Sequence, residues 1–277
     1  MGDRRRQAKP RNRRIGARLR AIRRQLTDLT LEEAAELLGW SASTLSRTEN
    51  GIREITSEEV ATIVTAYRLP AADRVKIIQD ARAEHSAGWW DQPLPGVPTE
   101  MGVLAGYTAE ANSLTDWSVM AVPGLLQTEL YAMAMWKSGG VNQEDAQPQW
   151  EARKQRQTIL GNVDYTAFIH EAALDVPFGG PGAHRAQLEH LAGARERGIA
   201  VRIMPRCLPY VVISYSWLYM TFPNSAPVVN VEITGGSVYL FDDQAQHYTN
   251  KIDLLDRLTL SSEKSSALLR SLVKAYR

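Results

Sequence analysis

Residues 19–53, LRAIRRQLTDLTLEEAAELLGWSASTLSRTENGIR, decide how this chain is read. Ile15, Leu19, Ile22 and Leu26 recur at helical spacing, one apolar stripe with arginines on the other faces. Thr30 with Glu33 three residues on is the signature of a capping box, which starts a second helix. Leu31, Ala34, Ala35 and Leu38 form its buried face, and Gly39 ends it because glycine tolerates positive φ. Ser41 caps a third helix, Ala42 to about Asn50, which stops at Gly51. Two short helices about a tight Gly39-Trp40 turn have the spacing of a helix-turn-helix.

Working outward, Thr56 or Ser57 caps a fourth helix whose Val60, Ile63, Val64 and Tyr67 share a face. Pro70 then breaks the chain before a fifth helix, about Ala71–His85. In a helix-turn-helix the second helix lies across the nucleic-acid backbone and the third offers its N-terminal side chains to base edges. Ala42 and Leu45 suit the interior, while Ser43, Thr44, Ser46 and Arg47 point outward. Hydroxyls can bond phosphates or bases, and a guanidinium can fork onto guanine. Glu49 is expected to hold the fold, because a carboxylate facing phosphates is repelled. A plain helical bundle with capped short helices is the alternative reading.

The composition suits a globular chain of two domains: 277 residues, 44% hydrophobic and 23% charged. The single cysteine, Cys207, excludes an intrachain disulfide and any Cys-x-x-Cys zinc or redox pair, and it suits a reducing cytoplasm. No apolar run is long enough to span a membrane, and no apolar signal segment follows the basic N-terminus. Charge is unevenly spread: residues 1–70 carry 14 basic and 9 acidic residues, and the first 26 carry 11 basic residues against Asp3. Residues 1–13 therefore read as a basic arm able to neutralise phosphates, or else as a solubilising tail. Arg13 and Arg14 join the candidate DNA contacts.

After the head, 14–86, the segment 87–98 (with Trp89, Trp90, Pro93, Pro95 and Pro98) reads as a docked hinge. Its tryptophans serve packing or gate a ligand. Residues 99–277 read as an α+β domain. Its expected helices lie around Ala109–Leu114, from Pro123 to about Lys137 with Leu126, Leu130 and Met133 on one face, and over Pro148–Leu160. Strand, helix and strand follow at Val163–Ile169, Ala183–Arg197 and Ile199–Ile203. Val211–Phe222, Val228–Ile233 and Val238–Phe241 complete a mixed sheet of about four or five strands. Two closing helices span about Gln244–Leu258 and Ser262–Tyr276. The fold class is therefore multidomain: an all-α five-helix head plus an α+β domain.

At S-x-x-T-L-S-R-x-E-x-G the head resembles the phage-repressor (Cro/C1, or XRE-type) helix-turn-helix family. The resemblance implies DNA-facing roles for Ser43, Thr44, Ser46 and Arg47, and a backbone contact for Arg53. The chain departs from the family in having Leu31 where glutamine is common and Thr48 where an apolar residue is usual. The segments YTAEANSLTDWSVMAVPGLLQTELYA, RKQRQTIL, IHEAALDVPFGG, QLEHL, VRIMP and SVYLFDD resemble the large effector domain of actinobacterial WhiJ-like, antitoxin-like regulators. That likeness implies a regulator of development or specialised metabolism, with a small acidic partner protein often encoded nearby.

Reactive groups are scattered. His170 and Glu171 are adjacent, which on a strand sends them to opposite faces. His184 and His190 do not share a helical face, and Gly179-Gly180-Pro181-Gly182 lacks the lysine and hydroxyl of a phosphate loop. No catalytic residue, metal site or cofactor is expected. Glu110, Gln127, Arg153, Arg156 and Glu171 are candidates for an effector or partner site, or else solvated faces and internal ion pairs. Trp117, Trp136, Trp150 and Trp217 read as core. The expected function is a cytoplasmic, sequence-specific transcriptional regulator. It would bind a pseudo-palindromic duplex as a homodimer, its DNA affinity modulated by a small protein or ligand on the larger domain. An antitoxin-like protein that sequesters a small partner and autoregulates its operon is the alternative, and a DNA-tethered enzyme the third reading.

Overall fold

The computed structural model describes residues 10–82, 94–206, 215–223, 225–233 and 236–275. Most of the basic arm, the Trp89-Trp90 half of the hinge, Cys207, the start of the Val211–Phe222 strand, Asn224, Gly235 and Tyr276 lie outside these residues.

The head comprises α1 (Pro10–Leu26), α2 (Leu31–Leu37), α3 (Ala42–Glu49), α4 (Ser57–Ala66) and α5 (Ala71–Arg82). The caps form as the residues dictate. Thr30 and Thr56 each close a full capping box, with Glu33 and Glu59, and the Ser41 hydroxyl accepts from the Thr44 amide at 3.1 Å. Gly39 takes φ +67° at the end of α2. Ile15, Leu19, Ile22, Ala34, Ala35, Leu45, Ile63 and Tyr67 share one core, with Leu31 and Leu38 partly buried against it. Two expectations need correction. α1 begins at Pro10, so residues 10–13 are helix rather than arm. Leu26 is 51% exposed, because the stripe runs past the end of the head core.

The larger domain begins with α6 (Thr99–Glu110). Among the described residues its sheet has six strands in the order β3-β2-β1-β4-β5-β6. They are β1 (Ser113–Ser118), β2 (Asp164–His170), β3 (Ala200–Met204), β4 (Trp217–Phe222), β5 (Ser225–Ile233) and β6 (Gly236–Leu240). β1, β2 and β3 run parallel to one another, and the β1–β4, β4–β5 and β5–β6 pairs are antiparallel. The helix expected around Ala109–Leu114 is therefore wrong beyond Glu110, where α6 ends and Ala111 is already extended. There the chain enters β1, a central strand held by β2 and β4, whose sequence SLTDWS lacks clear alternation.

The sheet is covered on both faces. Leu114, Tyr165, Ala167, Ile169, Leu218 and Met220 pack with Tyr107 of α6 and with α9 (Gly180–Ala192) and α11 (Ser262–Ala275). Trp117, Phe168, Trp217 and Tyr219 face α10 (Asp242–Leu258) through Ala245, Tyr248 and Leu255. Trp117, Trp150 and Trp217 are core, as expected. α7 (Glu129–Ser138) starts later than expected, after a 3-10 turn at Gly124–Leu126. That break turns Tyr131 and Ala132 inward and leaves Leu130 64% exposed. α8 (Gln143–Gln157) carries Pro148 in its first half, against which Gly96 of the hinge packs.

Candidate nucleic-acid interface

α3 is anchored from behind. Leu45 is fully buried, and Glu49 accepts two hydrogen bonds from Arg23, at 2.7 and 2.8 Å. This bidentate pair is buried, and the hydrogen bonds raise the Arg23 pKa above its ordinary value. Arg20 donates to the Glu49 carbonyl at 2.9 Å and to Asn50 Oδ1 at 2.5 Å. Thr48, where the related pattern is apolar, is buried and satisfies its hydroxyl on the Thr44 carbonyl at 3.0 Å. Gly16 lets α1 cross close: a Cβ there would lie 2.3 Å from the Thr48 carbonyl oxygen.

The opposite face of α3 is open. Ser41, Ser43, Arg47 and Asn50 are exposed, and Thr44 and Ser46 are half-buried. Arg47 Nε donates to the Ser43 carbonyl at 3.3 Å, which leaves the end of the guanidinium outward. The Ser41 and Thr44 hydroxyls pair at 2.8 Å, and Asn50 Nδ2 donates to the Ser46 carbonyl at 2.7 Å. The four expected α3 residues thus lie together on one capped helix. Ser41 and Asn50 extend that face; sequence reasoning used Ser41 only as a cap and Asn50 only as a helix end. A helix fits the major groove, roughly 12 Å wide.

The remaining candidate DNA contacts are turned elsewhere. Arg53 forms a bidentate pair with Glu59, at 3.1 and 2.5 Å, and its guanidinium lies 5.2 Å from the Trp40 ring centre. It braces the capping box of α4. Arg14 is buried between the domains: it pairs with Glu110 of α6, lies 3.7 Å from Asp80 and sits 4.8 Å over the Phe222 ring. Arg13 lies 5.2 Å over the Tyr239 ring. Arg11 donates to the Ile55 carbonyl at 2.9 Å and to the Ala81 carbonyl. The expected phosphate-facing role of Arg13 and Arg14 is therefore corrected. Helix α1 presents them to the larger domain, where an aromatic ring under each and a carboxylate on Arg14 replace water.

The effector candidates do not form one group. Glu110 belongs to the interdomain pair with Arg14. Glu171 accepts from the Arg206 amide at 3.0 Å, and the neighbouring His170 Nδ1 accepts from the Ala172 amide at 3.2 Å. Gln127, Arg153 and Arg156 do converge. Gln127 donates to the Val122 carbonyl at 2.8 Å, which turns its Oε1 toward Arg153 Nη1. Arg153 and Arg156 border a cleft of about 460 Å³ that also includes Trp136, Gln149 and Glu232. Trp136, expected in the core, is half-exposed, with the Arg153 guanidinium 4.4 Å from its ring centre. The shared α8 face of Gln149, Arg153 and Arg156 was readable from spacing; the contributions of Trp136 and Glu232 came only with the fold.

Two known profiles match the chain. A helix-turn-helix domain matches residues 14–76. A domain of unknown function, DUF5753, matches residues 102–271, more than half of the chain. The chain belongs to the DUF5753 family. No curated protein and no solved structure matches it. The DUF5753 match starts in α6 and ends in α11, so it takes in the whole described sheet and all of the cleft lining except Pro98, Glu100 and Met101. The helix-turn-helix match suggests DNA binding for the head. Among the described residues, no helix is long and apolar enough to cross a membrane. No three His, Cys, Asp or Glu side chains gather there as a metal site.

Proposed function

We propose that this DUF5753 protein is a sequence-specific DNA-binding transcriptional regulator of the phage-repressor type, acting in the cytoplasm without catalysis of its own. The observation that carries the reading is the exposed Ser43–Arg47 face on a helix clamped from behind by Arg23 and Glu49. One short helix reads few base pairs, so the reading includes a homodimer on a pseudo-palindromic site. Control of development or specialised metabolism, with a small protein or ligand as effector, rests on the likeness to WhiJ-like regulators.

Helix α1 supports a link between effector and DNA. It touches α6 through Arg14–Glu110, and it holds the C-terminal end of α3 through Arg20 and Arg23. An effector that favours one placement of α6 shifts α1, and with it the population of heads able to dock.

Selection of bound duplexes from a random pool, followed by Arg47→Ala, tests the reading. The variant should relax preference at one base-pair position by roughly 1–3 kcal/mol. Absence of any selected sequence, or unchanged preference at every position, overturns it.

A further inference from the structure

The cleft in the DUF5753 domain has an unusual charge arrangement. Arg153 is 9% exposed, yet among the described residues no carboxylate lies within 4.0 Å of it. Its Nη1 is held by Gln127, while its Nε has no hydrogen-bond partner. Arg156, beside it, likewise leaves Nε without a partner. The two guanidiniums meet over Gly124: a Cβ there would lie 2.9 Å from Arg156 Nη2 and 3.5 Å from Arg153 Nε. Burial, and then the nearby Arg156, pulls the Arg153 pKa down to about 9. Glu232 pulls the other way without cancelling these effects, so the group keeps its proton at neutral pH and the cation stays buried without a carboxylate in contact among the described residues. Structural arginines of this chain, such as Arg23 and Arg53, are instead satisfied by carboxylates.

The rest of the cleft limits what can supply the missing charge. Met101 and Leu104 of α6, Trp136 of α7 and Ile233 of β5 give it apolar walls. Glu100 and Glu232 also border it, so the two guanidiniums face two carboxylates across the cleft and a ligand with more than one negative charge is opposed. A space of about 460 Å³ lies within the range of small-molecule sites, roughly 300–1,000 Å³.

We infer that this cleft binds a small organic monocarboxylate with an aromatic or compact apolar body, its carboxylate on Arg153 and Arg156 and its body against Trp136. The inference builds on the reading of the DUF5753 domain as an effector module and specifies the effector's chemistry. Neither Nε is open to solvent and Gln127 holds Arg153 Nη1 in place, so the donors left for a carboxylate are Arg153 Nη2 and the terminal nitrogens of Arg156. The same α6 wall leads to the head. Tyr107 stacks on Tyr239 at 4.8 Å, Arg13 lies over that ring, and Glu110 ends the helix on Arg14.

The test is titration calorimetry on the full-length protein with benzoate, indole-3-acetate and cyclohexanecarboxylate, beside benzamide and indole-3-acetamide. At least one carboxylate should bind saturably at millimolar concentration or below, and its neutral amide at least tenfold more weakly. Arg156→Gln should cost at least tenfold in affinity. Glu232→Gln should strengthen binding several-fold, a gain that a damaged fold does not produce. No saturable carboxylate binding, equal binding of the amides, or indifference to both substitutions overturns the inference. So does preferential binding of an acidic peptide or inorganic phosphate. Duplex selection on the same preparation separates the two readings. A bound carboxylate without any selected duplex sinks the regulator, whereas a selected duplex without carboxylate binding sinks the cleft assignment alone.

Discussion

An arginine in this chain is defined by what its guanidinium meets. Of the seven arginines in α1, Arg11, Arg14, Arg20 and Arg23 spend donors or charge inside the protein, while Arg24 is exposed. Glu49 shows the other side of that rule: its carboxylate is 3% exposed and held by Arg23. Glu49→Ala leaves Arg23 buried without its partner, and should cost the head about 3–5 kcal/mol in denaturant unfolding. Asp116 is set by its surroundings too. Burial and then Glu232 push its carboxyl up to about 7, against the opposing pull of Arg156 and the Tyr165 hydrogen bond. A carboxyl raised on folding contributes stability at low pH that is lost as pH rises through about 7. Asp116→Asn should therefore raise the free energy of unfolding by roughly 2–4 kcal/mol at pH 8 and have little effect at pH 4, as denaturant unfolding at the two pH values will read.

At the scale of elements, helix crossings depend on small residues as much as on apolar stripes. The stripe of α1 predicted a helix and its buried side, yet Gly16 sets how near α3 can come. A methyl group there meets the Thr48 and Glu49 carbonyl oxygens at 2.3 and 2.9 Å and the Gly51 amide nitrogen at 3.0 Å. Gly16→Ala gains about 1 kcal/mol of helix propensity. It should nonetheless destabilise the head by roughly 1–3 kcal/mol, since backbone must move. Equilibrium unfolding gives the sign, and DNA affinity should fall with it because α3 loses its seat. Strand β1 makes the complementary point. Leu114 and Trp117 are buried on opposite faces of the sheet, so no single alternation marks the segment. Its strand character comes from pairing with β2 and β4 on both sides.

For the molecule as a whole, α1 is the shared part. It abuts β5, where Ala17 and Arg18 border a narrow crevice with Ala226 and Pro227, and it contacts α6 and α10. Glu110→Ala deprives the buried Arg14 of its nearest carboxylate and leaves Asp80 at 3.7 Å. The expected result is faster amide exchange across the first turns of α1 and an earlier melting transition for the head. Unchanged exchange in α1 would show that the pair does not hold the two domains together.

The helix-turn-helix and its caps, the outward side of α3, the domain order and most strands were legible in the sequence. Each rests on contacts within a few residues: a cap hydroxyl on an amide three positions on, or an apolar period of three to four. The destinations of Arg13, Arg14 and Arg53, the sixth strand and the arginine cleft were decided by the tertiary structure. Those features join residues far apart in the chain, such as Arg14 with Glu110 or Arg153 with Gln127. Whether a charge meets water, a ring or a carboxylate depends on which surfaces folding brings against it, and local spacing carries no record of that.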